Sequence, residues 1–99
     1  MYTQAEVLEK LRANKAILQD RFGIAELGLF GSYARNLQTK KSDVDILVEF
    51  RPGVKYLLET RLELEDFLKK IFDTEVDVAH LKYVRPYFRE KILRHAIFV

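Results

Sequence analysis

Asp43 and Asp45 stand one residue apart at the head of an apolar run that ends near Phe50. Ten residues upstream, Gly31-Ser32 closes another apolar run, Ile24 to Phe30. Side chains alternate faces along a strand. A strand over 43–50 therefore sends both carboxylates to one face, and Val44, Ile46 and Val48 to the other, toward a core. Carboxylates held this close repel each other unless a cation or a shared proton lies between them. A divalent, oxygen-preferring ion such as Mg²⁺ is the usual solution, and it brings substrate phosphates with it.

A third acid fits the pattern. Asp77 lies within Val76-Asp77-Val78, an alternation that turns it away from the core. If that strand pairs with the one after Asp43, three carboxylates converge into a cage for two divalent ions flanking an in-line displacement at phosphorus. Asp43 and Asp45 are then shared ligands, while Asp77 holds the nucleophile-side ion and assists deprotonation. Gly31-Ser32 falls where a strand gives way to a helix, so backbone N–H groups and a hydroxyl can cradle phosphate oxygens. Arg35, one turn on, is placed to pair with a phosphate.

Each of these residues also has a plainer reading. Asp-x-Asp occurs by chance at turns and strand starts. Glu75 shares the face of Asp77 and competes for its role. Ser32 can be a helix N-cap, and Arg35 a partner in a surface ion pair. The Gly-Ser spacing and strand-like flanks favour catalysis for the acids. For Lys40, Lys41 and Ser42, mobile loop charge is the favoured reading and contact with a nucleotide the other. His80 and His95 lack a metal-ligand spacing and read as packing or surface residues.

The elements that must hold these residues follow in order. Thr3-x-x-Glu6 before Val7-Leu8 is a capping-box pattern opening a helix that ends at Phe22-Gly23. Strand one runs from Ile24 to Phe30, and Gly28 and Gly31 allow a backbone or ligand to come close. A short helical segment follows Ser32, then a polar loop from Asn36 to Ser42, strand two over 43–50, and a turn at Arg51-Pro52-Gly53. Tyr56 to Phe72 is the longest helix, with Leu57, Leu64, Leu68 and Ile71 inward and Glu65–Lys69 and Asp66–Lys70 as outer pairs. Strand three covers Glu75 to Ala79. Pro86 opens a last helix carried by Phe88, Ile92, Leu93 and Ala96, and Ile97-Phe98-Val99 is an apolar end that needs covering, by this domain or by a neighbour. The expected fold is α+β, an α/β sandwich on a small mixed sheet.

Composition bounds the rest. Ninety-nine residues make one expected domain, residues 1–99. No stretch is long and apolar enough to span a bilayer. The first residues lack the layout of a secretion signal, and no cysteine is present, so a cytoplasmic location is expected. A net charge of +2 does not mark a nucleic-acid binder. The charge is uneven, with five Lys or Arg from His80 to Val99 against Glu90 alone. A solvated basic helix face is the favoured reading; steering of a phosphate-rich ligand or an acidic partner is the other.

At Gly31-Ser32, Asp43-x-Asp45 and the following Ile-Leu-Val, the chain resembles the DNA polymerase beta-type nucleotidyltransferase superfamily. Within it, the chain is similar to the minimal nucleotidyltransferase (MNT) family of MntA-type antitoxins. Gly-Ser-Tyr-Ala-Arg, the leucine-rich acidic helix, Val-Asp-Val and Arg-Glu-Lys-Ile-Leu-Arg-His-Ala carry the likeness across nearly the whole chain. Asn36 departs from the glycine many relatives carry after the Arg, but Asn also tolerates a left-handed backbone. The resemblance implies that Gly31, Ser32 and Arg35 bind nucleotide and that Asp43, Asp45 and Asp77 are catalytic and bind Mg²⁺. It implies a HEPN-domain toxin as partner, with AMP moved from ATP onto a tyrosine of that ribonuclease. The alternative within the family is an antitoxin that inhibits its HEPN partner by binding alone. A third possibility, nucleic-acid binding through the basic last helix, predicts affinity that falls steeply with salt.

Overall fold

The computed structural model describes residues 1–99. Helix α1 spans Gln4–Phe22. Thr3 caps it, with its hydroxyl accepting from Glu6 N–H at 3.1 Å while Thr3 N–H donates to Glu6 Oε1 at 2.8 Å. Gly23, in the left-handed region, ends it. Strand β1 (Ile24–Phe30) leads directly into a one-turn helix, α2 (Gly31–Ala34). Strand β2 covers Val44–Phe50, and helix α3, Leu57–Phe72, crosses over to β3, Val76–His80. A 3-10 turn, Leu81–Tyr83, precedes α4 (Pro86–His95) and β4 (Ile97–Phe98).

The sheet order is β3-β2-β1-β4. β1 is antiparallel to β2 and β4, whereas β2 and β3 are parallel, so α3 forms the crossover a parallel pair requires. One face of the sheet packs on α1 and α3 to make the core. Val44, Ile46 and Val48 point into it with Leu27, Leu29, Val76 and Val78. Val7, Leu11 and Leu18 of α1 meet Leu64, Leu68 and Phe72 of α3 beneath them. Leu68 is fully buried, so Leu68→Ala is expected to destabilise the fold by about 2–5 kcal/mol, read as a lower denaturant midpoint with an unchanged slope.

Three expectations change. The apolar end Ile97-Phe98-Val99 is covered by this chain itself, through a fourth strand the sequence reading did not expect: Gly28 pairs with Phe98 and Leu29 with Ile97, and Val99 N–H donates to Leu27 O at 2.9 Å. Gly28 makes this approach possible, because a Cβ there would meet the Phe98 ring at 3.0 Å and Ile97 O at 3.2 Å. Helix α4 is not carried by buried side chains. Phe88 and Leu93 are exposed, and Ile92 and Ala96 are only half-buried, because the main neighbours of α4 are the one-turn helix α2 and strand β1. Of the two outer pairs on α3, Glu65–Lys69 forms at 3.5 Å, while Asp66 and Lys70 make no ion pair.

Candidate active site

The face of the sheet turned away from α1 and α3 carries the acids. Phe30 of β1 is opposite Asp45 of β2, and Asp45 is opposite Asp77 of β3 in the parallel ladder. Partners directly across a ladder point to the same face, so the Asp45 and Asp77 carboxylates are neighbours. The expected meeting of strands two and three is therefore present, with the two acids in register. Asp43 lies one residue before β2 and is exposed, and its charge still reaches Asp45.

The electrostatics of Asp45 follow from this placement. Burial, the charge of Asp77 and then that of Asp43 push its carboxyl up from the ordinary value of 3.8 to about 6. Glu75 does not compete for the site, because its carboxylate lies 3.4 Å from Lys69 Nζ and is drawn toward α3.

The Gly-Ser turn is fitted to the same acid. Gly31 has φ +72°, and a Cβ built on it would fall on Asp45 Oδ2 and lie 2.9 Å from its Cγ. Glycine is required here by both the backbone and the carboxylate against it. Ser32 is inside α2, whose N-cap is Phe30, so it is not a capping residue. Its hydroxyl makes no hydrogen bond within the chain, and its carbonyl accepts from Leu37 N–H at 2.8 Å. Arg35 is exposed and has no acidic partner, which removes the surface-pair reading. Asn36 has φ +59°, the left-handed backbone expected where relatives have glycine. Lys40 and Ser42 face a cavity bordered by Tyr2, Tyr33 and Phe72, on the α1 side of the loop.

Sequence reasoning missed Gln4. Its amide donates to Tyr33 O at 3.0 Å and Ala34 O at 2.9 Å, tying the last carbonyls of α2 to the start of α1. A lone glutamine at a helix start carries no local signal of this bond, which spans some thirty residues of chain. Buried Tyr33 anchors the same turn. His80 is a packing residue: it is buried, its ring meets Phe50 and Tyr83 edge-on at 4.9 and 4.8 Å, and burial holds its pKa below the usual value despite Glu49 nearby. His95 is exposed.

The donor set tests whether a divalent cation belongs here. No group of three or more His, Cys, Asp or Glu side chains is arranged to hold a metal on its own. The oxygen-only donors nevertheless suit Mg²⁺, which is commonly held by one or two carboxylates together with substrate phosphates. Burial first, and then the charges of Asp77 and Asp43, raise the pKa of Asp45, and a cation bound there would offset the cost of holding that carboxylate ionised.

Comparison with known proteins agrees with the fold. The nucleotidyltransferase domain family matches residues 11–99. The chain belongs to this family of nucleotidyltransferases, and within it to the minimal nucleotidyltransferases. A candidate protein adenylyltransferase of Methanocaldococcus jannaschii is 40% identical over the full length of both chains. The protein adenylyltransferase MntA of Thermococcus cleftensis is 36% identical, covering 100% of this chain and 98% of its own. Among solved structures, a candidate minimal nucleotidyltransferase superposes with a TM-score of 0.81 at 28% identity, over 97% of this chain and 95% of that one. The MNT antitoxin complex of the tri-AMPylated Shewanella oneidensis HEPN toxin shares the fold, with a TM-score of 0.58 at 21% identity over 96% of this chain and 66% of that one. No helix is long and apolar enough to cross a membrane.

Proposed function

We propose that this nucleotidyltransferase is the antitoxin of a two-protein module and transfers AMP from ATP to a tyrosine of a HEPN ribonuclease, silencing it. The observation that carries the reading is the registered Asp45–Asp77 pair closed against Gly31. Asp43, Asp45 and Asp77 would hold Mg²⁺, which when bound neutralises charge developing on the phosphates. Ser32, with its free hydroxyl, and the N–H groups of the Gly31 turn receive phosphate oxygens. The tyrosine oxygen attacks the α-phosphorus, and the bond from that phosphorus to the β-phosphate oxygen breaks. Pyrophosphate leaves, and the phenolic proton passes to Asp77, the acid beside Asp45. The acceptor class and the partner come to this chain from its adenylyltransferase relatives and from the Shewanella complex that shares its fold.

The exposed side chains of α4 and its neighbours supply a surface for that partner. Tyr83, Tyr87, Phe88, Leu93 and Phe98 are each at least 40% exposed, and aromatic anchors of this kind are favoured in interfaces. The same surface would serve the alternative, inhibition by binding alone. ATP labelled at the α-phosphate, incubated with this protein and a purified HEPN ribonuclease, separates the two. Label on a tyrosine of the HEPN chain is the expected result. A stable complex without label, in which the toxin is still inhibited, would establish occlusion instead.

A further inference from the structure

β3 is an outer strand of the sheet, and its free edge runs beside Asp77. Val44 N–H donates to Glu75 O at 3.0 Å, which in a parallel ladder commits Glu75, Asp77 and Ala79 to bonds with β2. The backbone groups of Val76, Val78 and His80 therefore point away from the sheet. One of them has a partner within the chain: Arg61 Nη1 of α3 donates to Val78 O at 3.1 Å. An edge left open in this way is a template for a further strand. At its far end, between α3 and the 3-10 turn, lies a cavity of about 360 Å³ lined by Leu57, Leu58, Arg61, His80, Tyr83 and Val84. Its walls are mostly apolar, with Arg61 as a cation and no acid. Leu58 and Tyr83 are well exposed.

We infer that an extended segment of the acceptor protein adds to this edge as a further strand and delivers its tyrosine across Asp77, an inference that rests on the nucleotidyl-transfer reading above. The order of the strands carries it. The Gly31 turn follows β1, Asp45 is on β2 and Asp77 is on β3, the outer strand. In an in-line displacement the attacking and leaving oxygens lie on opposite sides of phosphorus. Pyrophosphate departing toward the β1 turn therefore requires the tyrosine oxygen to enter from the β3 side, over the free edge. The residue of an added strand directly across from Asp77 shares its face, so a tyrosine there reaches over the acids. Its oxygen bonds to the α-phosphorus as the bond to the β-phosphate oxygen breaks, and its proton passes to Asp77. Side chains alternate along a strand, so the residue three positions on, about 10 Å away, turns toward α3 instead. It falls across from His80, at the cavity. The lining and its charge define the occupant: a large apolar side chain against Leu57, Leu58 and Val84, with an acid beside it for Arg61. Backbone bonds hold the segment and the cavity sets its register, the division of roles found in strand addition.

Amide hydrogen exchange of the full chain tests the edge, with and without a purified HEPN ribonuclease whose label-accepting tyrosine is changed to phenylalanine. Exchange at Val76, Val78 and His80 is expected to slow about tenfold or more in the complex, while Asp77 and Ala79, already bonded to β2, change little. Steady-state transfer to the unmodified HEPN protein tests the cavity. Leu58→Glu is expected to raise KM for the HEPN protein about tenfold and to leave KM for ATP as in wild type. Leu58 is exposed, so the fold is not at stake. Ile17→Glu, the same kind of change at an exposed position on α1, is expected to alter neither. Unchanged exchange at the edge, in a complex whose unmodified partner takes up label, would overturn the inference. A wild-type KM for the HEPN protein in Leu58→Glu would also overturn it. So would edge amides already protected in this protein alone and exposed on dilution, because a second copy would then occupy the edge. Absence of label on the HEPN chain with ATP and Mg²⁺ would instead remove the nucleotidyl-transfer reading beneath it.

Discussion

Asp45→Asn is expected to lower nucleotidyl transfer on the order of 10³-fold while making the ion-free protein more stable. The loss follows from removing the acid that stands between Asp77 and Gly31. Metal-assisted charge stabilisation is worth several kcal/mol in such reactions, and each 1.36 kcal/mol is about tenfold in rate. The gain follows from linkage. The folded-state pKa of Asp45 is raised, from 3.8 to about 6, so the folded protein holds this proton more tightly than the unfolded chain. The carboxyl therefore costs nothing below about pH 4, its cost grows as pH rises through about 4 to 6, and it stays constant above. Discounted for solvent screening, that cost is about 1–2 kcal/mol, or roughly 5–10 °C in melting temperature for a chain of this size. Melting curves in chelator across this range should show wild type and variant converging near pH 4 and separating by pH 7. Mg²⁺ with a non-hydrolysable ATP analogue should raise the melting temperature of wild type and have little effect on the variant. Coincident curves at every pH would show that Asp45 is not held against the other acids.

Gly31→Ala carries the second large effect, for a different reason. The added methyl meets Asp45 Oδ2 directly, at a backbone φ of +72°. The left-handed backbone costs an L-residue about 1–2 kcal/mol, and relief of the clash requires the carboxylate or the turn to move. Misplacement of a reacting group by about 1 Å can cost on the order of 10²-fold in rate. Transfer activity should therefore drop about a hundredfold or more, with only a modest loss of stability. Ser32→Ala is the control at the adjacent residue. Its hydroxyl makes no bond within the chain, so its stability should equal that of wild type while its KM for ATP rises. A Gly31→Ala protein with wild-type turnover would show that the close approach of the turn to Asp45 has no part in the reaction.

The two effects differ in how far they could be read before folding. Asp43-x-Asp45 and Val-Asp-Val announce strands by alternation, a period-two pattern carried by adjacent residues. Thr3 with Glu6, and Gly23 after Phe22, mark the bounds of α1 because capping bonds form between residues a turn apart. The position of Ser32 and Arg35 just after a strand is what suggests phosphate contacts for them from the sequence. Their freedom from a surface ion pair and from a capping role became visible only once neighbouring elements were in place. The exposure of Phe88 and Leu93 could not be read from a helical pattern, since periodicity shows which residues share a face but not whether anything packs on it.

By itself, then, the sequence determined the order of the helices and of the first three strands, the acids that share a face, and the strand-to-helix turn beside them. All of these are set by interactions a few residues apart. Tertiary structure alone decided that Asp45 stands in register with Asp77, that Gly31 makes room for that carboxylate, that Gln4 holds the turn, and that the last two strand residues close the sheet edge at Gly28. These depend on ladder register and on contacts between distant segments, which are chosen by packing the whole apolar face at once and leave no local trace along the chain.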